Sequence, residues 1–168
     1  MSARPVIRLS ARHKTVLGAT LALLWTSGVL WLAFHYLLAQ PGDFGPRPHA
    51  LEAVWLKLHG AAALLALFVL GTLLPIHMTL AWQRNKNRRQ GVLLGALFLW
   101  LTASGYALWY FASDDNAAWL PAIHWVAGLA LPAALAAHVA AGRRRAAGRT
   151  RHAVYNAASP DVSRSLPR

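Results

Sequence analysis

Long apolar segments without any Lys, Arg, Asp or Glu alternate with short polar segments along the chain. The apolar segments cover residues 15–42, 58–83, 90–113 and 116–142, and each is 24 to 28 residues long. A helix needs about 20 apolar residues to cross the hydrocarbon core of a bilayer, which is about 30 Å thick. The four segments therefore predict four transmembrane helices. Strands are not favoured, because the segments are rich in Ala and Leu and lack strict alternation.

The charged residues are few and unevenly distributed. Only 13% of the residues are charged, against about 25% in an ordinary soluble domain. Fifteen of the 17 Lys and Arg lie before the first segment, between the second and third, or after the fourth. The positive-inside rule places these three regions in the cytoplasm. We therefore expect an all-α, integral membrane four-helix bundle with both termini cytoplasmic, spanning a bacterial-type inner (plasma) membrane several times.

The expected organisation has three parts. Residues 1–14 form a cytoplasmic N-terminal tail, and residues 15–142 form the four-helix transmembrane domain. Residues 143–168 are expected to be a basic, largely disordered cytoplasmic tail, because they are small, polar and Pro-containing. Basic residues beside a membrane span interact with anionic lipid at about 1 kcal/mol each, so we favour the lipid bilayer over nucleic acid as their partner.

Histidine is the strongest metal ligand available to this chain. Cys is absent, which excludes disulfides, iron–sulfur clusters, cysteine-ligated zinc and c-type haem attached through Cys. Ionisable groups at membrane depth are rare and usually mark a functional site. Five of the eight His fall in the apolar segments: His35, His59, His77, His124 and His138.

The histidines of the second and fourth segments form two tiers. His59 and His77 are 18 residues apart, which is five full turns at about 100° per residue, and His124 and His138 are about 40° short of four turns. The axial separations, roughly 27 Å and 21 Å, differ, and Pro75 is expected to bend the second helix and reduce the mismatch. Paired imidazoles across a bundle are typical of bis-histidine ligation of haem iron. We predict an outer iron between His59 and His124 and an inner iron between His77 and His138.

The two halves of the chain look like copies of one hairpin. Ser-Gly occurs at residues 27–28 of the first segment and again at 104–105 of the third. The segment that follows each of them has a histidine in its first part, His59 in the second segment and His124 in the fourth. Small residues also recur in membrane helices simply because they permit close approach. If the repeat is real, His59 and His124 occupy equivalent positions.

These features resemble a known group of proteins. Four short helices, His in the second and fourth, and a 14-residue His spacing in the fourth are similar to the di-haem b-type cytochromes of the bacterial cytochrome b561 family and of the cytochrome subunits of nickel–iron hydrogenase and formate dehydrogenase. Arg12-His13 followed by Ser27-Gly28 is similar to the opening pattern of that family. The resemblance covers residues 12–142. It implies two non-covalent haem b groups and exchange of electrons with quinone or a redox partner protein.

The resemblance leaves the second inner ligand open. In many members of the family it comes from the start of the first helix, which is His13 here. We expect His77 instead, because it lies about as far inside the basic residue Arg84 as His138 lies before Arg143. His35 has three open roles: contact with a haem propionate, replacement of His59 as a ligand, or lining a quinone pocket.

The expected function is transmembrane electron transfer through two bis-histidine b-type haems, either as a membrane cytochrome or as a subunit of an oxidoreductase complex. Two questions stay open: whether the chain is itself an enzyme, and whether it forms a homodimer. The alternatives are a cofactor-free membrane subunit and a His-based metal or proton transporter. Transport of a divalent cation is less favoured, because none of the four apolar segments contains a carboxylate.

Overall fold

The structure is a computed structural model that describes residues 10–43, 45–73 and 88–158. These residues form four helices and no strand: α1 (Ala11–Tyr36), α2 (Glu52–Leu73), α3 (Arg88–Tyr110) and α4 (Trp119–Ala158). Each helix contains a segment long and apolar enough to cross a membrane. The predicted all-α fold with four membrane-span-capable helices is confirmed. The side on which the termini lie and the kind of membrane stay predictions.

The helices pack as two hairpins. α1 lies along α2 and α3 lies along α4, and a smaller contact between α1 and α4 joins the hairpins. The α1–α2 interface buries small side chains such as Ser27, Ala62 and Ala66, which allow the two backbones to approach closely. Large apolar side chains such as Leu64 and Trp109 are more than 70% exposed and cover the outside of the bundle. Helices that are apolar on every side suit a lipid environment.

The α1–α2 and α3–α4 connections lie at the same end of the bundle, which we call the outer end in keeping with the predicted topology. The longer connection, between α1 and α2, contains one short β-bridge. Gln40 and Arg47 exchange backbone hydrogen bonds of 2.9 and 2.8 Å. Gly45 has a φ of 112°, which glycine adopts without steric cost. A Cβ on Gly42 would lie 2.6 Å from Cγ of Arg47, so the turn depends on both glycines.

The fourth helix is longer than the sequence predicts. Its membrane-span-capable part covers Trp119–Arg145, and the helix continues to Ala158. Residues 143–158 are therefore helical, although we predicted a largely disordered tail from residue 143. Ala and Arg have high helix propensity, and no Pro occurs between the end of the span and residue 159, so nothing stops the helix at the membrane boundary. The remainder of the predicted tail, and residues 1–9 of the N-terminal tail, lie outside the described residues.

Candidate functional site

One histidine from each hairpin meets near the outer end of the bundle. The ring centroids of His59 on α2 and His124 on α4 are 6.2 Å apart, and the two ring planes are at 89°. Both side chains are partly buried. The structure thus brings together the two residues that we predicted as the outer pair.

The ring of His59 is held by the neighbouring helix α1. Its Nδ1 lies 3.0 Å from the backbone oxygen of Leu24 and 3.3 Å from Oγ of Ser27, a residue that is only 1% exposed. A carbonyl oxygen only accepts hydrogen bonds, so Nδ1 of His59 carries the hydrogen and donates it. In the neutral imidazole the lone pair is then on Nε2, the nitrogen that remains available to a metal.

The ring of His124 is held in the same way by α3. Nδ1 of His124 lies 2.9 Å from Oγ of Ser104, and that hydroxyl lies 2.8 Å from the backbone oxygen of Trp100. A hydroxyl has one hydrogen, which Ser104 donates to the carbonyl, so its oxygen accepts from Nδ1–H of His124. His124 therefore has the same tautomer as His59, with the lone pair on Nε2.

The glycine after each serine allows the histidine ring to approach. A Cβ on Gly28 would lie 3.0 Å from Cε1 of His59, and a Cβ on Gly105 would lie 3.3 Å from Cε1 of His124. The repeated Ser-Gly therefore has one role in both hairpins, in which the hydroxyl contacts Nδ1 and the glycine makes room for the ring. The sequence pointed to the repeat but not to these contacts.

We expect Gly28→Val to destabilise the protein more than Gly18→Val, although both glycines lie on α1. Nothing lies within 4 Å of a Cβ on Gly18, whereas the new side chain at residue 28 meets the ring of His59. Overpacking of this kind costs about 1–3 kcal/mol. Thermal unfolding of the purified variants in detergent measures the difference. Equal losses at the two positions would show that the contact with His59 is not the cause.

His35 lies at the outer end and pairs with the first residue of α2. Its Nδ1 is 2.8 Å from Oε1 of Glu52, and the side chains are 41% and 14% exposed. The ring stacks on that of Trp31, with centroids 4.7 Å apart. This pairing does not test any of the three open roles of His35. It does give the imidazole a fixed position at the connected, outer end of the first hairpin.

The inner tier is described only in part. His138 lies on α4, 14 residues after His124, and is partly buried. His13 lies in the first turn of α1, and its Nε2 is 3.3 Å from Oγ1 of Thr72, near the inner end of α2. His77, the preferred inner ligand, lies outside the described residues. The choice between His13 and His77 therefore stays a prediction.

No protein-family model, curated protein or solved structure matches this chain. The geometry around His59 and His124 is therefore the basis on which a function is assigned.

Proposed function

We propose that this protein transfers electrons across a membrane through b-type haem, with His59 and His124 as the two residues that would hold the iron of an outer haem. The observation that carries the proposal is the pairing of these two rings across the hairpins, with both Nδ1 atoms occupied by the protein. An inner haem is assigned to His138 together with His77.

The separation of the two rings suits one iron between them. Imidazole–metal bonds of about 2.0–2.1 Å and a ring centroid roughly 1 Å behind the bonding nitrogen give centroids about 6 Å apart on opposite sides of one ion. The observed value is 6.2 Å. An angle of 89° between the ring planes is compatible with this arrangement, because two imidazoles that bind one metal ion need not be coplanar.

The set of donors favours haem over a bare cation. Among the described residues no group of three or more His, Cys, Asp or Glu is placed to hold a metal ion. A protein-bound Zn²⁺ needs three or four protein ligands, whereas haem iron already has four nitrogens and takes one or two more from the protein. A pair of neighbouring imidazoles, rather than a larger group of ligands, therefore matches haem better than the metal-transporter alternative.

The surroundings of the histidines also suit a flat macrocycle. Nothing lies within 4 Å of a Cβ on Gly60, the residue after His59, so this part of the helix surface is open. A hydrogen bond to the ring nitrogen that does not bind the metal, here Nδ1, fixes the orientation of a ligating His and increases its basicity. Leu24, Ser27 and Ser104 supply those bonds here.

The haem supplies reversible one-electron exchange at its iron, and the protein supplies position and environment. His59 and His124 would hold the iron between the hairpins, and the apolar helices would keep the site away from bulk water. His138 lies roughly 21 Å further along α4 than His124, which is sufficient to carry an inner site towards the opposite membrane surface. Exchange of electrons with quinone or a redox partner protein, within a complex or a homodimer, completes the proposal.

The absorption spectrum of the purified protein tests this function. We expect an intense Soret band, split α bands after reduction, and two haem b groups per chain that acidic acetone extracts. One haem per chain would retain only the outer site. A protein without a Soret band would instead be a cofactor-free subunit or a His-based transporter, and binding of a metal such as Zn²⁺ would separate these two.

A further inference from the structure

Two indole N–H groups near the outer site are buried without a hydrogen-bond partner. They are Nε1 of Trp31 on α1 and Nε1 of Trp55 on α2. Buried N–H groups in folded proteins nearly always have an acceptor, supplied by the protein, by water or by a ligand. Each indole ring is fixed by stacking, Trp31 on His35 and Trp55 on Phe34. The two donors therefore have fixed positions and lack an acceptor.

The antiparallel α1–α2 hairpin places both donors one turn beyond the proposed iron site. Ser27 on α1 faces His59 on α2, and His35 on α1 faces Glu52 on α2. Trp31 lies midway between the two α1 residues, and Trp55 lies between the two α2 residues. One turn is about 5.4 Å, so the indoles occupy the layer between His59 and the outer end of the hairpin.

An indole N–H is a donor only, so the missing partner is an acceptor. The carboxylate of Glu52 is already engaged by His35 at 2.8 Å. The acceptors that a haem adds beside its iron are the oxygens of its two carboxylate side chains. We propose that Trp31 and Trp55 donate hydrogen bonds to the carboxylates of the outer haem and so fix that haem with its carboxylates towards the outer end. This assignment rests on the function proposed above.

The assignment predicts how the outer haem responds to the loss of both donors. In the double variant Trp31→Phe/Trp55→Phe an aromatic ring remains at each position but the N–H groups are gone. The carboxylates then keep more of their negative charge, which favours ferric iron, so the midpoint potential of the outer haem falls while the inner haem is unchanged. The matched control is Trp109→Phe/Trp119→Phe, since these two side chains are 73% and 54% exposed. This control leaves both potentials as they are.

Competition between haem b and its dimethyl ester tests the contact itself. The ester lacks the charged carboxylates, so full-length apoprotein from haem-deficient cells is expected to prefer haem b at the outer site by at least about tenfold, as for hydrogen bonds to charged groups. The Trp31→Phe/Trp55→Phe variant loses most of that preference, and the control keeps it. If the wild-type protein binds no haem, both the function and this assignment are wrong. If it binds haem but the preference and the potentials are the same in all three proteins, only this assignment is wrong.

Discussion

We expect His59→Ala and His124→Ala each to remove the proposed outer haem, so that the two variants lose the same spectral component and retain one haem per chain. The two imidazoles are proposed to bind one iron from opposite sides, with ring centroids 6.2 Å apart. Removing either ligand leaves an iron with a single protein bond in a site built for two. Pyridine haemochrome assay of the purified variants gives the stoichiometry, and low-temperature difference spectra identify the component.

The control for this pair is His49→Ala. His49 lies in the connection before α2, where its Nδ1 accepts a hydrogen bond from the backbone nitrogen of Leu51. It is also a histidine of the first hairpin, but it has no role in the proposed site, so both haems are retained. Loss of different components in His59→Ala and His124→Ala would show that these residues do not share one iron.

The four helices could be predicted from the sequence because a single quantity, the length of each charge-free segment, determines them. The pairing of His59 with His124 was also accessible, since the repeated Ser-Gly and the parallel course of α2 and α4 place both residues at one level. The hydrogen bonds from these rings to Leu24, Ser27 and Ser104 were not accessible. They depend on the rotation of each helix against its hairpin neighbour, which a pattern of apolar residues without a marked polar face does not determine.

Composition was a poor guide beyond the fourth span. Polar, basic residues after residue 142 suggested disorder, but helix propensity and continuity with a preceding helix extend α4 to Ala158. The unpartnered indoles of Trp31 and Trp55 were equally hidden, because Trp near the end of a membrane helix is ordinarily explained by the interface. Only their burial distinguishes them from Trp109 and Trp119.

The inner ligand is the part of the site that neither helical periodicity nor the described residues determine. A common face for His59 and His77 assumes a straight helix, and Pro75 lies between them. The contact of His13 does bear on the choice. Oγ1 of Thr72 lies 2.7 Å from the backbone oxygen of Val69 and donates its one hydrogen there, so it accepts from Nε2–H of His13 at 3.3 Å.

His13 therefore differs from the two outer histidines, because its Nε2 carries the hydrogen and its lone pair lies on Nδ1 instead. We expect His138→Ala and His77→Ala each to remove the inner haem, while His13→Ala retains both haems. Thr72→Val is the matched control, since it frees Nε2 of His13 and should leave the spectrum unchanged. Haem stoichiometry and reduced-minus-oxidised spectra measure all four variants. If His13→Ala removes the inner haem and His77→Ala spares it, then the first helix supplies the ligand, as the resemblance to the b-type cytochromes implies.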